Sequence, residues 1–179
     1  MKKIIIITLL YISNISFAQE KIISKSSIVT FEASVPAFEE VKAVNNNATL
    51  VLNPASGEIA SLVLMKGFRF KIALMEEHFN ENYVESDRFP KAIFKGKIEG
   101  FDTSLLTATP KDFVLNGKLE LHGKSVPIKT IAKISKSAAG INLNTTFSVN
   151  ASDFNIAIPS VVKSKVSNKI NIQVASVLK

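Results

Sequence analysis

The stretch Leu74–Gly96, LMEEHFNENYVESDRFPKAIFKG, is where the chain changes its hydrophobic period. Together with Ile72, residues Leu74, Met75, His78 and Phe79 fall on one face of a short helix, with Glu76, Glu77 and Asn80 outward. Met75 and Phe79 stand four apart and can pack together. Pro90 stops helical geometry at the residue before it. Strand character follows at once: Ala92, Phe94, Gly96 and Ile98 alternate with Lys91, Ile93, Lys95 and Lys97. The reading is a short helical insertion at 72–88 set into a chain of strands. It is expected to fold over the mouth of a β-barrel, with Leu74, Met75 and Phe79 touching the mouth-side end of whatever the barrel holds.

On the N-terminal side, Val29, Phe31 and Ala33 alternate with Ile28, Thr30 and Glu32, predicting a first strand over 28–33 that Pro36 ends. Phe38–Val41 reads as a connecting turn. Ala48, Leu50 and Leu52 repeat the alternation, and Asn53-Pro54-Ala55-Ser56-Gly57 supplies turn chemistry into a partner strand over 58–65. Gly67–Lys71, rings alternating with cations, predicts a further half-buried strand. On the C-terminal side, Phe113, Leu115, Gly117, Leu119 and Leu121 form the longest strict alternation in the chain. His122-Gly123-Lys124 is a tight turn into 125–134, and Ala138-Ala139-Gly140 turns into a strand carrying Ile141, Leu143, Thr145, Phe147 and Val149. An irregular link over 150–167 precedes a last strand over 169–178, with Ile170, Ile172 and Val174 on one face. The fold class is therefore all-β: roughly eight antiparallel strands with one helical interruption. That count can close into a barrel around one small ligand, and a two-sheet sandwich shares the same pattern.

The first residues are expected to lie outside this fold. Lys2 and Lys3, the apolar run Ile4–Ile12 and Ser16-Phe17-Ala18 have the order of a secretory signal, predicting cleavage after residue 18 and one mature domain over 19–179. The expected location is periplasmic or secreted. The chain has no cysteine, so an exported domain of this length must rest on its hydrophobic core. Its formal charge is +7, falling to +5 (20 basic against 15 acidic side chains) without Lys2 and Lys3. The densest basic group, Lys163, Lys165 and Lys169, lacks interleaved aromatics, so no nucleic-acid partner is expected. A basic face leaves room for peripheral contact with the cell envelope.

Chemistry-bearing residues are sparse. There is no Cys and no G-x-S-x-G elbow, and His78 and His122 are the only histidines. A metal site from both with Glu77 is conceivable, but their spacing is no ligand signature. The expected roles are a hairpin histidine bonding backbone (His122) and a helix residue on the insertion (His78). Glu39-Glu40 and Glu76-Glu77 are adjacent pairs that read as solvated. No catalytic residue, metal or cofactor is expected. The phenylalanines at 31, 70, 94, 113 and 147 fit a solid core or a cavity wall equally well, while Ala33, Gly96, Gly117 and Thr145 would leave space if they face inward.

Four quoted pieces resemble the YceI-like family in order. They are Ser27-Ile28-Val29-Thr30-Phe31; His78-Phe79 through Tyr83 to Phe89-Pro90-Lys91-Ala92-Ile93-Phe94; Gly117 to Pro127, GKLELHGKSVP; and Ser152-Asp153-Phe154-Asn155-Ile156. The family's R-D-x-H-L start is here Ile72–His78, and its G-V-T-K-P turn is one residue shorter at His122–Pro127. The resemblance implies a lipocalin-like barrel whose elongated apolar cavity holds a long-chain isoprenoid or similar amphiphilic lipid. On that implication the candidate ligand-binding residues are Phe31, Phe68, Phe70, Met75, Phe79, Phe94, Phe113, Leu119, Leu121 and Phe147. The competing expectation is a cell-envelope interaction module with a solid core and no ligand.

Overall fold

The computed structural model describes residues 21–179; the expected leader, 1–18, and its cleavage point lie outside them. Nine strands follow in order: β1 (Ile22–Ser34), β2 (Lys42–Leu52), β3 (Glu58–Leu64), β4 (Arg69–Phe70), β5 (Lys91–Ile98), β6 (Lys111–Leu121), β7 (Lys124–Ser137), β8 (Gly140–Asn150) and β9 (Val166–Leu178). Eight of them form a ring in the order β1-β9-β8-β7-β6-β5-β3-β2, and antiparallel pairing of β1 with β2 closes it. This closure decides between barrel and sandwich, and it leaves no long edge to template association. The outward residues of β5 and β6 include Lys95, Lys97, Lys118 and Glu120, all exposed. On these two strands, charges outside and apolar side chains inside are the reverse of a membrane-spanning barrel.

Several elements differ from the expected ones, each for a local reason. β1 starts at Ile22 rather than Ile28, because register shifts on either side of Ser27 break the alternation without ending the strand. β2 starts at Lys42, where buried Ala43 and Asn45 carry the inward face. The expected strand over 67–71 shrinks to the two residues of β4, which sit outside the ring on β2 through Ala43↔Phe70 and Val44↔Arg69. A 3-10 turn, Met65–Gly67, precedes it. The insertion contains α1 (Ala73–His78), continued by a π-helical turn, Phe79–Tyr83, in which the Val84 N–H donates to the Phe79 carbonyl at 3.0 Å.

The barrel interior has two zones. At one end Leu52, Ile98, Ile134, Leu143 and Leu178 are almost fully buried and pack with Phe113 and Leu115 as a solid plug. The loop after β5 caps this end: Leu106 is buried there, Phe101 packs on Phe113 at 5.9 Å between ring centroids, and Thr107 accepts the Lys136 N–H. The same strands then run into a second zone, built on Val29, Ala48, Val63, Leu119, Ile128 and Val149, which is hollow.

Candidate functional site

The hollow zone is a cavity of about 500 Å³, inside the ordinary range for small-molecule sites. Leu50, Ile59, Leu115 and Leu143 form its floor against the solid plug. From Leu143 on β8 to Ala151 at the rim is eight residues, which at roughly 3.3 Å each and the usual strand tilt gives a depth of about 20 Å. The wall is aliphatic and aromatic almost throughout, with Ser61, Thr130 and Thr145 as inward hydroxyls. Thr145 and Thr130 are committed to the wall, donating to the Ile131 and Thr146 carbonyls at 2.9 Å. These bonds stand where the β7–β8 ladder stops, at Ala132↔Thr145. Beyond that point the 3-10 turn Ala151–Phe154 packs against β7, β8 and β9, and the Phe154 side chain is fully buried.

The insertion closes over the opposite side of the mouth. Phe79 from the insertion stacks on Phe31 of β1 at 5.2 Å, and Phe68 and Phe70 complete a four-ring cluster with centroid separations of 5.1–5.8 Å. Such ring pairs contribute beyond the area they bury. Glu76 of α1 ties back to β4, accepting from Arg69 Nη1 at 2.8 Å and from the Phe70 N–H at 3.1 Å. Met75 and Phe79, one helical turn apart, both face the cavity.

The far end of the insertion is held at the His122 turn, and on its outer side by Lys66 Nζ, 2.6 Å from Asp87 Oδ1. His122 and Gly123 form a two-residue hairpin turn with φ of 51° and 72°, the geometry that favours glycine and tolerates few other residues. The His122 ring stands between two acceptors, Glu85 Oε2 at 2.8 Å from Nε2 and the Phe154 carbonyl at 3.0 Å from Nδ1. A carboxylate and a carbonyl only accept, so both contacts are satisfied together when each ring nitrogen carries its hydrogen. The Phe89 ring lies on the imidazole at 4.3 Å. It also passes over Gly123, where a Cβ would come within 3.1 Å of it. The His122 hydrogen bond, reinforced by Arg88 at 2.6 Å, holds the Glu85 carboxyl below the usual carboxylate range. Glu85 and Asn155, next to Phe154, also have left-handed backbones, φ 44° and 58°. Three uncommon conformations therefore meet at this junction.

Of the ten candidate residues, Phe31, Phe68, Phe70, Met75, Phe79, Phe94, Leu119, Leu121 and Phe147 line the cavity. Phe113 does not. It faces inward as its alternation requires, but two residues too near the plugged end, where it packs on Phe101. Leu74 is also displaced from its expected place: it points outward and is more than half exposed, because neighbouring helical residues diverge by about 100° and Met75 takes the inward direction. The space expected at Gly96 and Gly117 is taken. The two glycines pair across β5 and β6, and the Phe94 ring lies over both, where a Cβ at either would sit 2.8 or 2.4 Å from it. Ala33 and Thr145 do line open space.

His78 sits at the cavity mouth and His122 at the junction with Glu85. Among the described residues no three His, Asp or Glu side chains converge as a metal site would need. Sequence reasoning assigned Glu85 no role, since nothing in its spacing marks a partner 37 residues away.

Comparison with known proteins adds the family. Among solved structures, the chain resembles a polyisoprenoid-binding domain from Saccharophagus degradans with a TM-score of 0.76 at 13% identity, over 89% of this chain and 97% of that one. BcnA of Burkholderia cenocepacia gives 0.68 at 16%, over 85% and 94%. The YCEI protein of Campylobacter jejuni gives 0.60 at 19%, over 81% and 89%. At these identities the likeness establishes the barrel. Comparison with curated proteins finds no sequence match. The YceI-like domain profile matches residues 20–178, and with nearly the whole chain inside it, the chain belongs to the YceI-like family.

Proposed function

We propose that this protein is an exported lipid-binding protein, holding a long-chain isoprenoid or a similar amphiphilic lipid in the barrel cavity, and that it acts by binding rather than by catalysis. The observation that carries the reading is the cavity itself: about 500 Å³, about 20 Å deep, apolar along its length and roofed by the insertion. An interior of this shape rewards a long flexible apolar molecule, each buried methylene contributing about 0.8 kcal/mol. A barrel with no ligand would instead be expected to fill such a space with side chains, as this one does at its other end. The shared fold of the polyisoprenoid-binding domain from Saccharophagus degradans supports the ligand class. Export, to the periplasm or beyond, is supported by Lys2, Lys3, the Ile4–Ile12 run and Ser16-Phe17-Ala18. A carrier, storage or stress role follows from a site that binds without transforming.

The test is organic extraction of natively purified protein followed by mass spectrometry, beside an Ala92→Phe variant that fills the cavity from the β5 wall. A lipid recovered from the native chain and absent from folded Ala92→Phe supports the reading. Equal recovery from both, or none from either, overturns it. The mass of the purified chain checks export, which requires loss of the first 18 residues.

A further inference from the structure

The cavity must exchange its contents with something, and the surface around its opening has a character of its own. Ten large hydrophobic side chains are exposed among the described residues, and the four most exposed all lie at the mouth end: Val161 (82%), Leu64 (57%), Leu74 (56%) and Phe38 (46%). They come from four separate segments. Phe38 is in the β1–β2 turn and itself touches the cavity; Leu64 ends β3 beside the insertion; Leu74 is on α1 next to cavity-lining Met75; Val161 is in the 3-10 turn Ser160–Val162, next to cavity-lining Val162. Apolar side chains scattered singly over a surface need no explanation. Here the three most exposed, Val161, Leu64 and Leu74, stand around a single opening, each beside a residue that lines the cavity, and Phe38 is itself such a residue.

The charges beside them are cationic on one side. Lys163 and Lys165 follow Val161, and Lys71 precedes α1; among the described residues none of the three has a carboxylate within ion-pair distance. Glu39, Glu77 and Glu81 occupy the turn and insertion side of the rim, so electrostatic attraction is led by the 160–165 segment. An apolar tip followed by lysines, as Val161 is by Lys163 and Lys165, is what a lipid surface receives: the tip enters the acyl boundary while ammonium groups meet headgroup phosphates.

We propose that the mouth face, led by Val161 with Leu74 and Phe38, docks onto an anionic lipid bilayer, and that the cavity exchanges its contents directly with that bilayer. The docking stands on the rim alone; the exchange rests on the proposed lipid-binding function. An apolar chain leaving this cavity through water would expose all of its length at once. Passing from one apolar phase to another through a docked mouth avoids that exposure.

Docking is read by co-sedimentation of the purified protein with vesicles of phosphatidylglycerol and phosphatidylethanolamine, at low and at high salt. The expected result is binding that weakens with salt and falls about tenfold or more in Val161→Asp/Leu74→Asp. Leu105→Asp, a change at an exposed position (44%) in the loop at the plugged end, is expected to bind like the native chain. Both substitutions sit on exposed positions, so melting temperature checks that folding is intact. Native-like vesicle binding by Val161→Asp/Leu74→Asp, or equal loss in Leu105→Asp, overturns the docking proposal. So does a native chain that binds no vesicles, even if it yields lipid on extraction. Vesicle binding lost in the rim variant, with no lipid extracted from the native chain, leaves docking standing and removes the lipid-carrying function. Exchange is read from transfer of a fluorescent lipid between vesicles: a rate rising with acceptor concentration and slowed in the rim variant supports it, and a rate independent of acceptor overturns it.

Discussion

Glu85 and His122 meet at 2.8 Å, and through that contact one hairpin turn holds two covers of the cavity. Nε2 of His122 holds the insertion, and Nδ1 holds the Phe154 carbonyl of the turn that follows β8. Replacing the ring removes both bonds. His122→Ala is expected to cost about 1–3 kcal/mol, the usual penalty when a buried carbonyl loses its donor, read as a lowered denaturation midpoint. Faster amide hydrogen exchange across 84–89 and 151–156 together is the expected signature. Exchange that rises in only one segment would show that His122 does not couple them.

The same contact gives the lid a pH response. Glu85 has its carboxyl depressed below the ordinary 4.5, first by the His122 hydrogen bond and then by Arg88. A depressed carboxyl contributes stability that is fully present above the ordinary value and is lost as pH falls through the depressed one. Amides of 84–89 are therefore expected to exchange faster, beyond the intrinsic pH effect, as pH falls below the ordinary carboxyl value of 4.5. Glu85→Ala should show the faster exchange already at neutral pH and no further acid step.

The two interior zones predict opposite outcomes for similar truncations. Phe113→Ala opens a hole in the plug and is expected to cost about 3–5 kcal/mol with cavity contents unchanged while the chain stays folded. Phe147→Ala trims a ring that already borders open space, so a smaller cost of about 1–2 kcal/mol is expected, with altered ligand retention. Denaturant midpoints and extracted lipid per mole of protein check both.

Gly117 tests the packing of the wall. A methyl there meets the Phe94 ring at 2.4 Å and the Lys95 carbonyl at 2.5 Å, so Gly117→Ala is expected to destabilise by about 1–3 kcal/mol or more. Adding Phe94→Leu should recover only part of the loss, because the backbone clash remains. Full recovery would place the whole conflict on the ring.

The period-two pattern carried most of the ring. Phe113 to Leu121 read as an alternating strand and form β6, and β1, which closes the barrel against β2, showed the same alternation over 28–33. Patterns failed where geometry departs from regular pleating. Ser24 and Ser27 are buried by register shifts that no alternation announces, and Arg69–Phe70 is cut short because β2 offers it only two partners. For the cavity, alternation assigns a side chain to the inside but is blind to height along the axis. Phe113 and Leu119 therefore look equivalent in sequence, and only the position of the plug separates them. Gly96 and Gly117 looked like space for the converse reason, since which ring leans over a glycine depends on a rotamer rather than a spacing. The Glu85–His122 contact was invisible because it joins a loop to a turn across the fold.

The floor of the cavity is also a border in the history such a chain can have. β2, β3, β6 and β8 each cross it, near Leu50, Ile59, Leu115 and Leu143, so one part of each strand is answerable to the close packing of the plug and the rest borders the cavity. Above the border, a substitution at a side chain that borders open space changes the shape on offer while the plug below keeps the frame. On the proposed function, ligand preference in this barrel can therefore drift, or be rewritten by hand, one cavity-lining residue at a time, without the chain having to rediscover how to fold.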